Sequence, residues 1–261
     1  APALATAQNS DETQTADEAQ SPAVFPPLTT GQQAAKQAII DSIEVSPAAK
    51  RPNIVLVFSD DLGYADIGCF GSAEIPTPHI DALTSQGMKF TNAYVTAGTC
   101  SPSRAALLTG QYQHRFGFEF NTDIKVVEQQ GRGLDPAAVT IADVLGKAGY
   151  QTGAVGKWHL GTRDQFHPLN RGFGSYFGFL RGGQSYLPFA KQMTVRGFEP
   201  VSEKEYLTDA FAREAVDFVN KQSKDTPFFL YVPFNAVHTP LQATKKYKDR
   251  FPNVKDSKNV F

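Results

Sequence analysis

The sequence predicts an α/β fold, a large and mostly parallel sheet sandwiched by helices. Three observations carry that expectation. Asn53-Ile54-Val55-Leu56-Val57-Phe58-Ser59 and Phe228-Phe229-Leu230-Tyr231-Val232-Pro233-Phe234 are near-continuous apolar runs, the pattern of strands buried on both faces of a parallel sheet. Between them, helical and strand-like segments alternate, which points to β-α crossovers rather than hairpins. Chemistry-bearing side chains follow the strands directly: Asp60-Asp61, Lys157 with His159, and His238. The carboxyl ends of strands are where open α/β sheets bind ligands.

The 261 residues suffice for a large core. A formal net charge of -1 and a pI near 6.6 argue against a nucleic-acid or membrane-surface partner. No apolar run approaches the roughly 20 residues that span a bilayer. The two cysteines, Cys69 and Cys100, exclude a disulfide-built scaffold, though they could pair in an oxidising compartment. Ala1-Pro2-Ala3-Leu4-Ala5 reads as the small-residue remnant of a cleaved signal peptide, which implies a periplasmic or secreted protein.

Residues 1–50 read as a mobile N-terminal tail with one short helix. Up to Thr30 every charge is acidic, and Ala, Gln, Ser, Thr and Pro dominate, so little apolar surface offsets the ordering entropy. Ala35, Ile39 and Ile43 then recur at helical spacing and give a short helix that docks on the domain. The domain proper, residues 51–261, opens with the Asn53–Ser59 strand. The adjacent carboxylates of Asp60 and Asp61 repel each other and need a cation or strong donors. They are either the cap of a following helix or oxygen ligands for a hard divalent metal. Thr77-Pro78 starts a helix that Gly87 stops, and the alternating Lys89–Val95 segment reads as a short strand.

Cys100-Ser101-Pro102-Ser103-Arg104 follows, opening a helix that Gly110 ends. A thiol at a helix N-terminus beside an arginine lies in a positive field that favours its anionic form. Val139–Ala148 has helical periodicity before Gly149, and Gln151–Gly156 is a strand that delivers Lys157-Trp158-His159. Residues 166–201 read as loops rich in glycine, arginine and aromatic residues around a pocket. Residues 208–221 form an amphipathic helix with Leu207, Phe211, Ala215, Phe218 and Val219 on one side. His238 lies just beyond the last buried strand. Cys69 reads as a buried packing thiol.

The ordered set Pro52-Asn53-Ile54-Val55 to Asp60-Asp61-Leu62-Gly63, Cys100-Ser101-Pro102-Ser103-Arg104, Gly156-Lys157-Trp158-His159-Leu160-Gly161 and His238-Thr239-Pro240 resembles the formylglycine-dependent sulfatases of the alkaline-phosphatase-like superfamily. The resemblance implies a sulfuric ester hydrolase acting on a sulfated carbohydrate, of polysaccharide or glycosaminoglycan type. It implies that Cys100 is oxidised to formylglycine by a formylglycine-generating enzyme or an anaerobic maturase. The hydrated aldehyde then supplies the attacking hydroxyl, as covalent catalysis requires. Asp60 and Asp61, with the matured Cys100, match the ligands of a divalent metal, most often calcium. Arg104 matches the arginine that holds the hydrate, and Lys157 the lysine that bridges it to sulfate. His159 matches the base of the elimination step, and His238 the donor near the leaving oxygen. His114 with Arg115, and His167 with Arg171, are candidates for contacts to a sugar.

The chain also departs from the family pattern. Members carry a further Asp-Asn pair after a later strand and a sulfate-contacting lysine beyond it. Downstream of His238 this sequence has Asp249, Asn253, Asp256 and Asn259, none adjacent to another. The resemblance therefore implies the N-terminal portion of a longer catalytic domain, without the C-terminal part of the family fold. Two alternatives remain at this stage. One is a phosphonate or phosphodiester hydrolase on the same scaffold, and the other a non-catalytic glycan- or oxyanion-binding fragment.

Overall fold

The computed structural model describes residues 27–45, 51–123, 125–188 and 193–252. Most of the expected N-terminal tail (residues 1–26 and 46–50), together with Asn253, Asp256 and Asn259, lies outside them. The expected short helix is present as α1 (Thr30–Asp41), closed at its start by a Thr29/Gln32 capping box. Strand β1 (Ile54–Phe58) follows, then α2 (Pro78–Gln86), α3 (Cys100–Thr109), α4 (Lys125–Gln129) and α5 (Ile141–Lys147). Next come β2 (Gln151–Lys157), β3 (Ser175–Phe179), β4 (Val195–Arg196), β5 (Glu199–Pro200), α6 (Leu207–Asn220), β6 (Phe228–Pro233) and α7 (Lys245–Lys248).

The six strands form one sheet in the order β1-β6-β2-β3-β4-β5. β1, β6, β2 and β3 are parallel neighbours, while β4 and β5 add an antiparallel ribbon at one edge. The α/β sandwich with a mostly parallel sheet is thus as expected. On one face α3 and α5 supply Ala105, Leu108 and Ala142 to a core with Ala154, Trp158, Phe173, Phe229 and Tyr231. On the other face, Leu207, Ala210 and Phe211 of α6 pack on Val155, Phe177, Leu230 and Val232. β6 is buried along its whole length because it lies between β1 and β2 with both faces covered.

Three local expectations are corrected. β1 is not buried on both faces: Val55 and Val57 are 50% and 59% exposed, while Ile54, Leu56 and Phe58 pack inward. It is an edge strand, and α6 packs chiefly on β2, β3 and β6. Lys89–Val95 forms no strand. No neighbouring strand offers it a ladder, and it is pinned instead by Tyr64, whose hydroxyl bonds both polar groups of the Ala93 main chain. The third correction concerns residues 166–201, expected as loops, which contain β3 and the β4–β5 ribbon. Cys69 is half-buried rather than enclosed, and both cysteines are free thiols.

The strand ends that carry the candidate chemistry are knit together by main-chain hydrogen bonds. Asp60 N–H donates to the Ala236 carbonyl (2.8 Å) and Val237 N–H to the Asp60 carbonyl (2.7 Å), which joins the end of β1 to the loop after β6. Trp158 and His159 N–H donate to the Phe179 and Leu180 carbonyls at 2.9 and 3.1 Å, joining the ends of β2 and β3. Between them, Gly156 has φ +138°, and a Cβ there would stand 2.0 Å from the Pro233 carbonyl oxygen. Only glycine lets β2 approach β6 this closely just before Lys157.

Candidate active site

Asp60, Arg104 and Lys157 meet in the interior. The Asp60 carboxylate is 2.6 Å from Lys157 Nζ and 3.2 Å from Arg104 Nη2, and both cationic side chains are fully buried. Arg104 Nη1 also donates to the Lys157 carbonyl at 2.9 Å, which ties α3 to the end of β2. Two buried cations around one buried carboxylate leave a positive charge uncompensated. Burying such a charge is costly unless an anion joins it.

Cys100 is the first residue of α3 and half-buried, so its side chain stands at the positive end of the helix. Arg104 follows one turn later on the same face. Ser103 fixes that first turn by donating its hydroxyl to the Thr99 and Ala97 carbonyls at 2.9 and 2.8 Å. Asp61 is exposed and adopts φ +55°, and His159 adopts φ +58°. These are the positive-φ residues other than glycine among those described, and both lie at the site. Such a conformation costs an L-residue roughly 1–2 kcal/mol, and strained residues cluster at functional sites.

The two histidines differ in their surroundings. His159 is 1% exposed, its Nε2 lies 2.9 Å from Asp123 Oδ1, and its Nδ1 is buried with no hydrogen-bond partner among the described residues. Burial holds its pKa below the ordinary histidine value; the Asp123 hydrogen bond opposes that shift without overcoming it. His238 is held from its own Nδ1, which donates to the Thr239 carbonyl at 2.6 Å, and its Nε2 is 3.9 Å from Asp61 Oδ2. Tyr186 steadies the loop beneath it by bonding the carbonyls of Asn235 and His238 at 2.6 and 2.7 Å.

The four sugar-contact candidates separate into two kinds. His114 and Arg115 stand exposed on a short turn (Gln113–Phe116) after α3, where a ligand can reach them. His167 and Arg171 do not. Arg171 is fully buried, with its guanidinium spent on the carbonyls of Asp135, Pro136 and Ala138 at 2.6–2.9 Å. Burial lowers its pKa to about 10. His167 is 2% exposed and stacks on Phe198, and its Nδ1 accepts from Leu169 N–H. Both hold the fold from inside, which corrects their reading as substrate contacts.

Sequence reasoning missed Asp123, which carries no motif and pairs with a residue 36 positions away. It also missed the role of Gly182 and Gly183, whose adjacency after an unrecognised strand was the available signal. A Cβ on Gly182 would meet His159, and one on Gly183 would meet His238. As for a metal, Asp60 and Asp61 offer the hard oxygen donors that suit calcium or magnesium. The donor set fits in kind but not in number: among the described residues no group of three or more His, Cys, Asp or Glu side chains is placed to hold an ion.

Residues 52–260 match the Sulfatase family model. The chain is 36% identical to human N-acetylgalactosamine-6-sulfatase over 222 residues, covering 77% of this chain and 42% of that protein. It is 35% identical to human Arylsulfatase A, covering 77% of this chain and 44% of that protein. Among solved structures, Ps i-CgsB in complex with k-i-k-neocarrahexaose superposes with a TM-score of 0.75 at 42% identity, over 81% of this chain and 51% of that one. BT4656 in complex with its substrate D-glucosamine-2-N,6-O-disulfate gives 0.67 at 28% identity, over 78% and 38%. The chain thus spans about two fifths of the length of the curated relatives it matches.

Proposed function

The chain belongs to the sulfatase family, and on that premise we propose that it hydrolyses sulfate esters of a carbohydrate, releasing the free alcohol and sulfate. The observation that carries the reading is the buried Arg104–Asp60–Lys157 cluster, whose surplus positive charge suits a tetrahedral oxyanion. The carbohydrate part rests on relatives: N-acetylgalactosamine-6-sulfatase is named for a sulfated sugar, and BT4656 was solved with a sulfated glucosamine.

In this reading Arg104 holds the hydrated aldehyde, and Lys157 bridges it to the sulfate group and offsets the charge that builds on the sulfate oxygens. His159, kept neutral by burial, accepts a proton. His238, whose Nδ1–H is engaged by the Thr239 carbonyl, can donate from Nε2 toward the leaving oxygen only as the doubly protonated imidazolium, the form a general acid takes. His114 and Arg115 extend the contact to the sugar. Cys100, matured to formylglycine by a dedicated maturase and hydrated by addition of water to its aldehyde, would supply the attacking hydroxyl. Asp60 and Asp61, with the matured Cys100, would hold a divalent cation, by donor type calcium. Such an ion would supply Lewis-acid stabilisation of the anionic group. A periplasmic or secreted location is the corresponding cellular proposal. It is compatible with the lack, among the described residues, of a helix long and apolar enough to cross a membrane.

Two measurements test this reading. Turnover of an aryl sulfate well above that of an aryl phosphodiester supports it, and the reverse preference points to a phosphoester hydrolase on the same scaffold. Peptide mass spectrometry is expected to find Cys100 about 18 Da below the cysteine form, the exchange of sulfur and two hydrogens for one oxygen. An unmodified thiol together with glycan binding and no turnover would mark a binding protein instead.

A further inference from the structure

We propose that Asp123 is the positioning residue for His159, holding its imidazole in the tautomer that carries the proton on Nε2 and leaves Nδ1 as the free basic nitrogen. The inference rests on the proposed role of His159 and adds which of its nitrogens acts and what selects it. An ionised carboxylate only accepts hydrogen bonds, so the 2.9 Å contact between Asp123 Oδ1 and His159 Nε2 requires the ring proton to be on Nε2. The hydrogen bond from His159 in turn keeps the Asp123 carboxyl below the usual carboxylate range. Nδ1 is then left without a proton, and it is the ring nitrogen that is buried and unpartnered.

Three further contacts make this a built arrangement. The ring is aimed by the left-handed backbone of His159 and by its N–H bond to the Leu180 carbonyl at 3.1 Å. The segment that presents Asp123 is fastened to the first turn of α3. Ser101 N–H donates to Asn121 Oδ1 at 3.2 Å, and Thr122 N–H donates to Ser101 Oγ at 3.3 Å. Asp123 is therefore registered against the same turn that carries Cys100. Gly182 closes the pair. A Cβ at that position would lie 2.3 Å from Asp123 Oδ2 and 2.7 Å from His159 Cε1 and Nε2, so any side chain there would force the two apart.

The test is the tautomer itself, read by NMR of the protein labelled with ¹⁵N-histidine, with the His159 signals assigned by their loss in His159→Gln. The parent is expected to show a protonated Nε2 and a bare Nδ1. Asp123→Ala and Gly182→Ala are expected to lose that preference. Asp123→Asn, whose amide oxygen still accepts from Nε2–H, is expected to keep it. On a sulfate ester, Asp123→Ala should lower kcat about 10- to 100-fold, the usual cost of losing such a partner, with KM changed little. A parent with the proton on Nδ1, or an Asp123→Ala protein with the tautomer unchanged, overturns the proposal. Should Asp123→Ala fail to fold, Gly182→Ala and Asp123→Asn carry the comparison. A protein that releases no sulfate yet shows this tautomer and its loss in Asp123→Ala counts against the proposed function and for the positioning role.

Discussion

At the scale of single residues, the proposed chemistry rests on side chains that are shielded from solvent. Lys157, Arg104 and His159 are all but fully buried, so their interactions act in a weakly screened interior. For His159 burial favours the neutral ring, and the direction of its pKa follows. A base must be unprotonated to act, so kcat/KM should hold as pH falls to the ordinary histidine value near 6.5 and decline only below it. A pH profile checks this, and an acidic limb well above that value would contradict it. The sign for stability is the same. The unfolded chain takes up this proton at a higher pH than the folded one, so acid below that value destabilises the fold. The buried Arg171 belongs to the fold rather than the site. Arg171→Ala leaves three inward-facing carbonyls without a donor. Each such loss costs on the order of 1–3 kcal/mol, so a sharp fall in melting temperature is expected. Arg115→Ala, on an exposed turn, is expected to leave melting unchanged within about 0.5 kcal/mol.

At the scale of elements, the site is assembled where β1, β2 and β6 end together, and close backbone approach is what makes that possible. Gly156→Ala would put a methyl group 2.0 Å from a carbonyl oxygen of β6 and impose φ +138° on an L-residue. Overpacking of this kind costs about 1–3 kcal/mol, so chemical denaturation should register a loss of that size, with reduced activity from a displaced Lys157. A variant as stable as the parent would contradict the packing described. The same elements explain what could be read from sequence. β6 was evident because its apolar run matches burial on both faces, and β2 was placed as the short segment between the Gly149 helix stop and Lys157. β1 was found as a strand but misjudged as buried on both faces, because an edge strand and a central strand can have the same apolar composition. β3 was missed since Ser175-Tyr176-Phe177-Gly178-Phe179 mixes glycine with aromatic residues and resembles a loop. The Lys89–Val95 alternation promised a strand, but a strand exists only where a neighbour offers hydrogen bonds. Asp60, Arg104, Lys157, His159 and His238 were legible as motif positions. Asp123 was not, because its role depends on a contact across 36 residues.

At the scale of the whole molecule, a formal net charge of -1 coexists with a concentrated positive interior at the strand ends. That contrast suits a small anionic group buried deeply while the remainder of a substrate lies outside. α1 sits at the periphery, held to α5 by Lys36–Asp143 and Lys147–Asp41 ion pairs with none of its residues fully buried. The account as a whole depends on Cys100 lying at the centre of a sulfate-ester site. The most direct test is sulfate release from a sulfated carbohydrate, measured side by side for the parent protein and Cys100→Ala. Release by the parent and none above background by the folded variant is the predicted result. Equal release by both would contradict the account.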